Sequence, residues 1–476
     1  MATVLPDAEY LSEVPLSERI AYGEALRSDV PHELHASWQP GESREDPVAI
    51  LESQAVQRIP ELVPIRHQRM AASPFAHFRG AAAVMAADLA TTPTAGLRAQ
   101  LCGDAHLLNF GIFSTPERDL VFGLNDFDET LPGPIEWDLK RLAASVEIAA
   151  RDLGFGHSER RRAVVATVRS YRDGMAEFAD EGELDLWYQR LPSKALEERL
   201  SAAAKGAGKE VDRKVRKAMH KDHLHAFDRL ITSEDGEARF VSQPPLIVPV
   251  EELLDDEQRA RYVPVVQDFL RQYRDCLQPH TRAMIERYRF MHVARKVVGV
   301  GSVGTRCWVI LMLGRDQSDP LILQLKQAMP SVLEPYTAPS VYESQGRRVV
   351  EGQRLMQTSP DYLLGWYRLT SWDGLERDFY ARQLWDGKAS IDVSRLSPVG
   401  LRSYGEACGW TLARGHARTG DRFAMAAYLG EDDSLDRAIA EFADLYADTN
   451  ADDHARLVGA ISEGRLPAEP EADSVG

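Results

Sequence analysis

With 476 residues, 44% hydrophobic and 27% charged, the chain has the make-up of a globular protein long enough for two lobes with separate cores. Its formal charge of −17 argues against generic nucleic-acid binding, which needs a basic surface, and no apolar run approaches the length of a membrane-spanning helix. The four cysteines, Cys102, Cys276, Cys307 and Cys408, show no C-x-x-C spacing, so no zinc site or disulfide framework is indicated and reduced core thiols are expected.

The opening residues lack the basic and apolar regions of a secretion signal, which gives the expectation of a cytoplasmic protein, monomeric or homodimeric, with no nucleic-acid or membrane partner. Residues 1–60 are rich in Pro, Glu and Ser and read as a segment wrapping the surface, with a short helix over 16–26. From Asp46 the pattern turns helical, breaks at Ser73-Pro74 and resumes in FAHFRGAAAVMAADLA. Arg66, Arg69 and Arg79 in this region are candidates for gripping a phosphate or an acidic substrate, and pairing with acidic neighbours is an equal alternative.

The stretch 101–129, LCGDAHLLNFGIFSTPERDLVFGLNDFDE, carries the candidate chemistry. It holds two acidic clusters joined by a turn and a short strand, Leu120-Val-Phe-Gly-Leu. Asp104 is followed five places later by Asn109, the spacing of a phosphoryl-transfer loop in which an Asp orients the attacking hydroxyl and an Asn binds magnesium. Asp126 is the expected second metal ligand and Asp128 a further one or a structural carboxylate, since hard cations draw oxygen donors from more than one loop.

GDAHLLN resembles the G-D-x-H-x-x-N loop of aminoglycoside phosphotransferases and related small-molecule kinases, with Cys102 where they usually carry His. NDFDE and the following Trp137-Asp138-Leu139 resemble their metal-binding strand end and the start of the next helix. The resemblance implies that His106 supports the loop geometry. On SPFAHFRGAA, GDAHLLNFG and VVGVGSVGT, the chain also resembles domain of unknown function family 2252, a bacterial family whose resemblance implies no substrate.

Further on, the pattern over 136–151 places Leu139, Leu142, Ala143, Val146 and Ala150 on one helical face. Helices are then expected over 157–180, 194–200, the basic 209–230 and 257–276. The basic stretch 201–230 and the acidic residues after Gly430 read as solvated helix faces and a frayed tail. Near Arg289 the text becomes β-rich: a strand, a turn with Gly299, Gly301, Ser302 and Gly304, a second strand, and a third ending at Lys326. This order matches a kinase phosphate-covering hairpin followed by the lysine that pairs with the α- and β-phosphates. The helix over 342–357 offers Glu351 to hold that lysine, in preference to Glu343. Strands over 362–369 and 378–384 complete a five-stranded sheet, with Trp385-Asp386-Gly387-Lys388 as a hinge. A helix over 398–419, in which His416 reads as a buried hydrogen-bonded residue, and two acidic helices over 435–446 and 453–462 close the chain.

The expected fold is α+β, a two-lobed protein kinase-like fold with a small antiparallel sheet lobe (286–388) and a large, mostly α lobe (61–285 and 389–476). The catalytic loop precedes the small-lobe parts, so the chain reads as a circular permutant, which surface termini permit. The expected reaction is ATP- and magnesium-dependent transfer of the γ-phosphoryl group to a hydroxyl of a small-molecule or protein acceptor, with Asp104 as base, Asn109, Asp126 and Asp128 on metal, and Lys326 and the glycine turn on phosphate. Nucleotidyl transfer, a metallophosphoesterase built on Gly103-Asp104-Ala105-His106, and an ATP-binding pseudokinase are the rival readings.

Overall fold

The computed structural model describes residues 13–196, 198, 230–234, 237–297, 299–371, 373–384 and 391–469. The basic stretch 201–229, the hinge at 385–388 and the last residues of the acidic tail lie outside the described residues, as do residues 197, 199 and 200 of the expected 194–200 helix. The architecture is mixed α+β with antiparallel sheets, and among the described residues no helix is long and apolar enough to cross a membrane.

The opening helix α1 (Leu16–Asp29) lies along the surface and is fixed by the Arg19–Asp421 ion pair at 2.7 Å. Four short helices follow: α2 (Pro47–Ala55), α3 (Val63–Ala71), α4 (Pro74–Gly80) and α5 (Ala82–Leu89). Ser73 caps α4 by accepting from Ala76 N with Pro74 at the first helical position, which is why the chain breaks and restarts there. Strands β1 (Arg98–Leu101) and β4 (Leu131–Pro134) pair antiparallel and enclose the hairpin of β2 (Phe110–Ser114) and β3 (Leu120–Leu124).

Helix α6 (Ile135–Asp152) is buried without interruption from Ile135 to Ala150, so the apolar face read from its periodicity is only part of its buried surface. It packs with α7 (His157–Asp180), α8 (Glu183–Tyr188) follows, and β5 (Leu191–Pro192) pairs with β3. The remaining helices of this core are α12 (Pro398–Ala417), α13 (Arg422–Leu429) and α14 (Ser434–Ser462). The last is one helix where the sequence suggests two. Its polar middle is accommodated because Thr449 accepts from Trp38 Nε1 at 2.9 Å, Asn450 donates to Pro74 O at 3.0 Å, and Asp453 pairs with Arg44 at 2.6 Å.

A small two-stranded ribbon, β6 (Ile231–Glu234) with β7 (Glu237–Phe240), leads to β8 (Ile247–Pro249), α9 (Asp256–Cys276) and α10 (Pro279–Ile285). The principal sheet then forms from β9 (Arg289–Lys296), β10 (Cys307–Leu313) and β11 (Pro320–Gln327). After α11 (Gln345–Met356), β12 (Gly365–Thr370) and β13 (Glu376–Gln383) complete it. Its order is β12-β13-β11-β10-β9-β8, six strands rather than five, because the three-residue β8 adds an edge. Both faces are covered, one by a cluster including Phe269 and Tyr273 of α9, the other by one including Phe240 and Leu384. That is why β10 and β11 read as continuous apolar runs instead of alternating ones.

Candidate active site

The 102–109 loop is held from below by α6. Asp138, in its first turn, accepts from Cys102 N at 2.8 Å and Gly103 N at 3.0 Å, and the buried His416 reaches the same carboxylate at 3.3 Å while its other ring nitrogen meets Tyr171 Oη at 2.8 Å. His416 is therefore the buried, hydrogen-bonded residue its setting suggested. Gly103 has φ +82°, and a Cβ there would lie 2.3 Å from Glu129 O, so only glycine lets the 102–109 loop meet the 125–130 loop this closely.

Asp104 ion-pairs with Arg141 of α6 at 2.7 Å. Arg141 also donates to Phe78 O at 2.9 Å and stacks its guanidinium over the Phe78 ring. Asn109 donates its amide to Asp104 O at 2.7 Å, which leaves its side-chain oxygen as the atom it can offer a cation. His106 accepts from Leu108 N through Nδ1 and sets Nε2 3.8 Å from Asp104 Oδ2. Burial pushes its pKa down to about 4, so at neutral pH it is an uncharged ring that shapes the loop.

The second acidic cluster follows β3, where Asn125 N donates to Asn109 O at 2.8 Å and joins the two loops. Lys326 Nζ sits 2.5 Å from Asp128 Oδ2 and 3.5 Å from Asp126 Oδ2. Burial opposes its charge, but the Asp126 and Asp128 carboxylates outweigh that and hold the ammonium well above its ordinary range. Lys326 pairs in register with Tyr380 on β13 and Gln324 with Arg382, so side chains two residues apart share one face. From that face Tyr380 donates to Asp128 Oδ1 at 2.6 Å and Arg382 to Asn125 O at 3.0 Å.

Glu351 does not perform the role expected of it. It pairs with Arg354 at 3.3 Å, and the carboxylates at Lys326 are Asp126 and Asp128. The residue that α11 turns toward the site is Arg348, fully buried, which donates to Asp128 O at 2.8 Å, Thr130 O at 2.6 Å and Met329 O at 2.8 Å. Glu129 accepts from Val332 N at 2.7 Å, and burial raises its carboxyl to about 7.

The glycine turn between β9 and β10 closes the top of the crevice. Ser302 Oγ lies 3.4 Å from Asp128, and Gly299 and Gly304 take positive φ values of 65° and 88°. Arg58 donates to Gly301 O at 2.8 Å and Val303 O at 2.5 Å, Ile59 N donates to Gly304 O at 2.7 Å, and Arg69 donates to Gly299 O. Arg66 is buried and donates to Gln54 Oε1 and Gly80 O, a structural placement. Asp104, Asn109, Asp126, Asp128, Gly301 and Ser302 all line one cavity of about 70 Å³.

Among the described residues no three His, Cys, Asp or Glu side chains form a metal cage. Magnesium does not need one, since it takes one or two protein oxygens together with water and phosphate. Asn109 and Asp126, hard oxygen donors on hydrogen-bonded neighbouring loops, suit such an ion; Asp126 meets Asp128 N at 3.2 Å and Lys326 at 3.5 Å, whereas Asp128 is held more closely, by Lys326 at 2.5 Å and Tyr380 at 2.6 Å. Arg141, Arg348, Tyr380, Arg58 and Glu129 are the site residues that sequence reasoning missed.

No curated protein and no solved structure matches the chain. Residues 58–460 match the family described as uncharacterized proteins conserved in bacteria, DUF2252, and the chain belongs to that family.

Proposed function

We propose that this protein is a magnesium- and ATP-dependent phosphotransferase of the kinase type, circularly permuted, which moves the γ-phosphoryl group to a hydroxyl. The observation that carries the reading is the meeting of Lys326 with Asp126 and Asp128 beneath the glycine turn, with Asp104 lining the same cavity. These groups come from segments about 200 residues apart, and phosphoryl transfer is the chemistry that needs an amine, hard oxygen donors and a base around one triphosphate. The strand order supports it: glycine hairpin β9-β10, lysine strand β11, then β13 with β12 outside it, and α11 between β11 and β12.

In this reading Asp104 orients the acceptor hydroxyl and takes its proton, while Lys326 leaves the carboxylates to neutralise phosphate charge. Magnesium, when bound, supplies charge neutralisation across the phosphates, and Asn109 and Asp126 would hold it. A 70 Å³ cavity is smaller than the ~300 Å³ or more of a ligand pocket, so in this reading the glycine turn, with the Arg58 and Arg69 that hold it, lifts to admit a nucleotide.

The Arg141–Asp104 ion pair favours a second reading, a nucleotide-binding protein without transfer, because Arg141 occupies the carboxylate that would have to take the hydroxyl's proton. Phosphate release and transfer from γ-labelled ATP, measured on the full chain and on Asp104→Asn, decide between them. Transfer reduced by ~100-fold or more in the variant is expected. Turnover that survives the substitution refutes base catalysis by Asp104, and nucleotide binding with no turnover in the parent protein establishes the second reading.

A further inference from the structure

The cavity lining carries two arginines, Arg58 and Arg79, among its carboxylates. Arg79, at the end of α4, lines it beside Asp104, yet makes no hydrogen bond or ion pair through its side chain among the described residues. Its Nε is buried with no partner. Asp104, the nearest carboxylate, is already taken by Arg141. Arg58 lines the same cavity, largely buried, donates through one nitrogen to the turn carbonyls, keeps a buried Nε without a partner, and faces no carboxylate within ion-pair distance among the described residues. Burial disfavours both charges and pushes the Arg79 guanidinium below its ordinary range.

Placing a guanidinium in such a setting costs free energy unless an anion completes it. The nucleotide is the less suitable occupant. Lys326 and Ser302 reach Asp128 from the sheet and the turn, whereas Arg79 is carried by α4 and is drawn to the Asp104 carboxylate, beside which the hydroxyl to be phosphorylated would lie. The other two candidate arginines do not line the cavity: Arg66 donates to Gln54 Oε1 and Gly80 O and keeps two buried nitrogens without a partner, and Arg69 donates to Gly299 O.

We propose that Arg79, with Arg58 beside it, forms an anion subsite for the acceptor, so that the hydroxyl substrate carries its own phosphate or carboxylate group. This rests on the phosphotransferase reading and names the substrate class within it. A polycationic acceptor such as an aminoglycoside would meet repulsion from these arginines, while a phosphate monoester or hydroxy acid would receive charge-assisted hydrogen bonds from a planar guanidinium fork.

The test is calorimetric titration of the full-length protein with a non-hydrolysable ATP analogue plus magnesium, then of that complex with inorganic phosphate and, separately, glycerate. One anion is expected to bind the nucleotide complex. Arg79→Gln should weaken it at least tenfold while changing analogue affinity less than twofold, and Arg79→Lys should restore part of the loss. Thermal unfolding checks that Arg79→Gln folds. Anion affinity unchanged in Arg79→Gln, no anion binding at all, or equal weakening of analogue and anion would each overturn the subsite, the last by assigning Arg79 to the nucleotide. If the analogue fails to bind the parent protein, the phosphotransferase reading falls alone. Anion titration of the free protein then decides the subsite by the same Arg79→Gln comparison.

Discussion

The contact between Lys326 and the two aspartates can be measured as a coupling energy. Lys326 is 3% exposed, with Asp128 at 2.5 Å and Asp126 at 3.5 Å, and the carboxylates are 28% and 31% exposed. Removing one partner of a fully buried pair costs about 3–5 kcal/mol, and less where the remaining partners see solvent. Asp128→Asn preserves shape and leaves Lys326 with Asp126, so a loss of about 2 kcal/mol is expected. Lys326→Met leaves two carboxylates facing one another and should cost about as much. Once the ammonium is gone the Asp128 charge has nothing to pair with, so the double variant should fall short of the sum by roughly 2 kcal/mol. Glu351→Gln supplies the control, because Glu351 pairs with Arg354: its coupling to Lys326→Met should stay under about 0.5 kcal/mol. Guanidinium unfolding followed by tryptophan fluorescence gives all the values. Coupling below about 0.5 kcal/mol for Asp128, or an equal coupling for Glu351, refutes the arrangement.

Two further outcomes concern the loop that Lys326 contacts. Glu129, raised by burial to about 7 from 4.5, binds more protons folded than unfolded across that interval. Its contribution to stability is therefore complete below about pH 4.5 and is lost as pH rises through about 7, up to ~3 kcal/mol by linkage. Buried histidines such as His106 act in the opposite sense, so the difference between the parent and Glu129→Gln isolates the effect; unfolding midpoints whose difference is flat from pH 4 to 8 would exclude it. Gly103→Ala should destabilise by about 3 kcal/mol or more, since its Cβ would meet backbone 2.3 Å away, whereas Gly299→Ala, with nothing within 4 Å, bears only the ~1 kcal/mol of a left-handed conformation. Similar denaturation midpoints for the two alanine variants would contradict the close approach of the loops.

The parts legible in sequence were those whose function is written in local spacing. The strand 120–124 and the helix 157–180 have their expected bounds, and Lys326 lies at a strand end after a glycine turn as its neighbours implied. The helix over 342–357 offers Glu351 for Lys326, yet the residue it turns toward the site is Arg348, and the reason is physical. Both lie among apolar neighbours on α11, but a buried arginine is stabilised by backbone carbonyls, here those of Asp128, Met329 and Thr130, and carbonyl positions leave no trace in side-chain patterns. Arg141 escaped notice likewise, since its partner Asp104 lies 37 residues earlier. The polar middle of α14 reads as a break because its partners, Trp38, Arg44 and Pro74, are some 400 residues away.

The distribution of these contacts also bears on how the crevice can open. Arg382, Lys326, Tyr380 and Arg348, all from the sheet and α11, grip the consecutive residues Asn125 to Thr130 by side chain or carbonyl. Releasing the sheet from the acidic loop would break all four interactions together and leave buried polar groups without partners, a large cost. The glycine turn is attached differently. Its tethers, Arg58, Ile59 and Arg69, come from the α2–α3 region and bind only its carbonyls. Lifting the turn together with that region gives up the Ser302 Oγ–Asp128 contact at 3.4 Å but leaves the grip of Arg382, Tyr380 and Arg348 on the acidic loop intact. In the phosphotransferase reading, nucleotide access would then depend on the α2–α3 region, and the same movement would reposition Arg58.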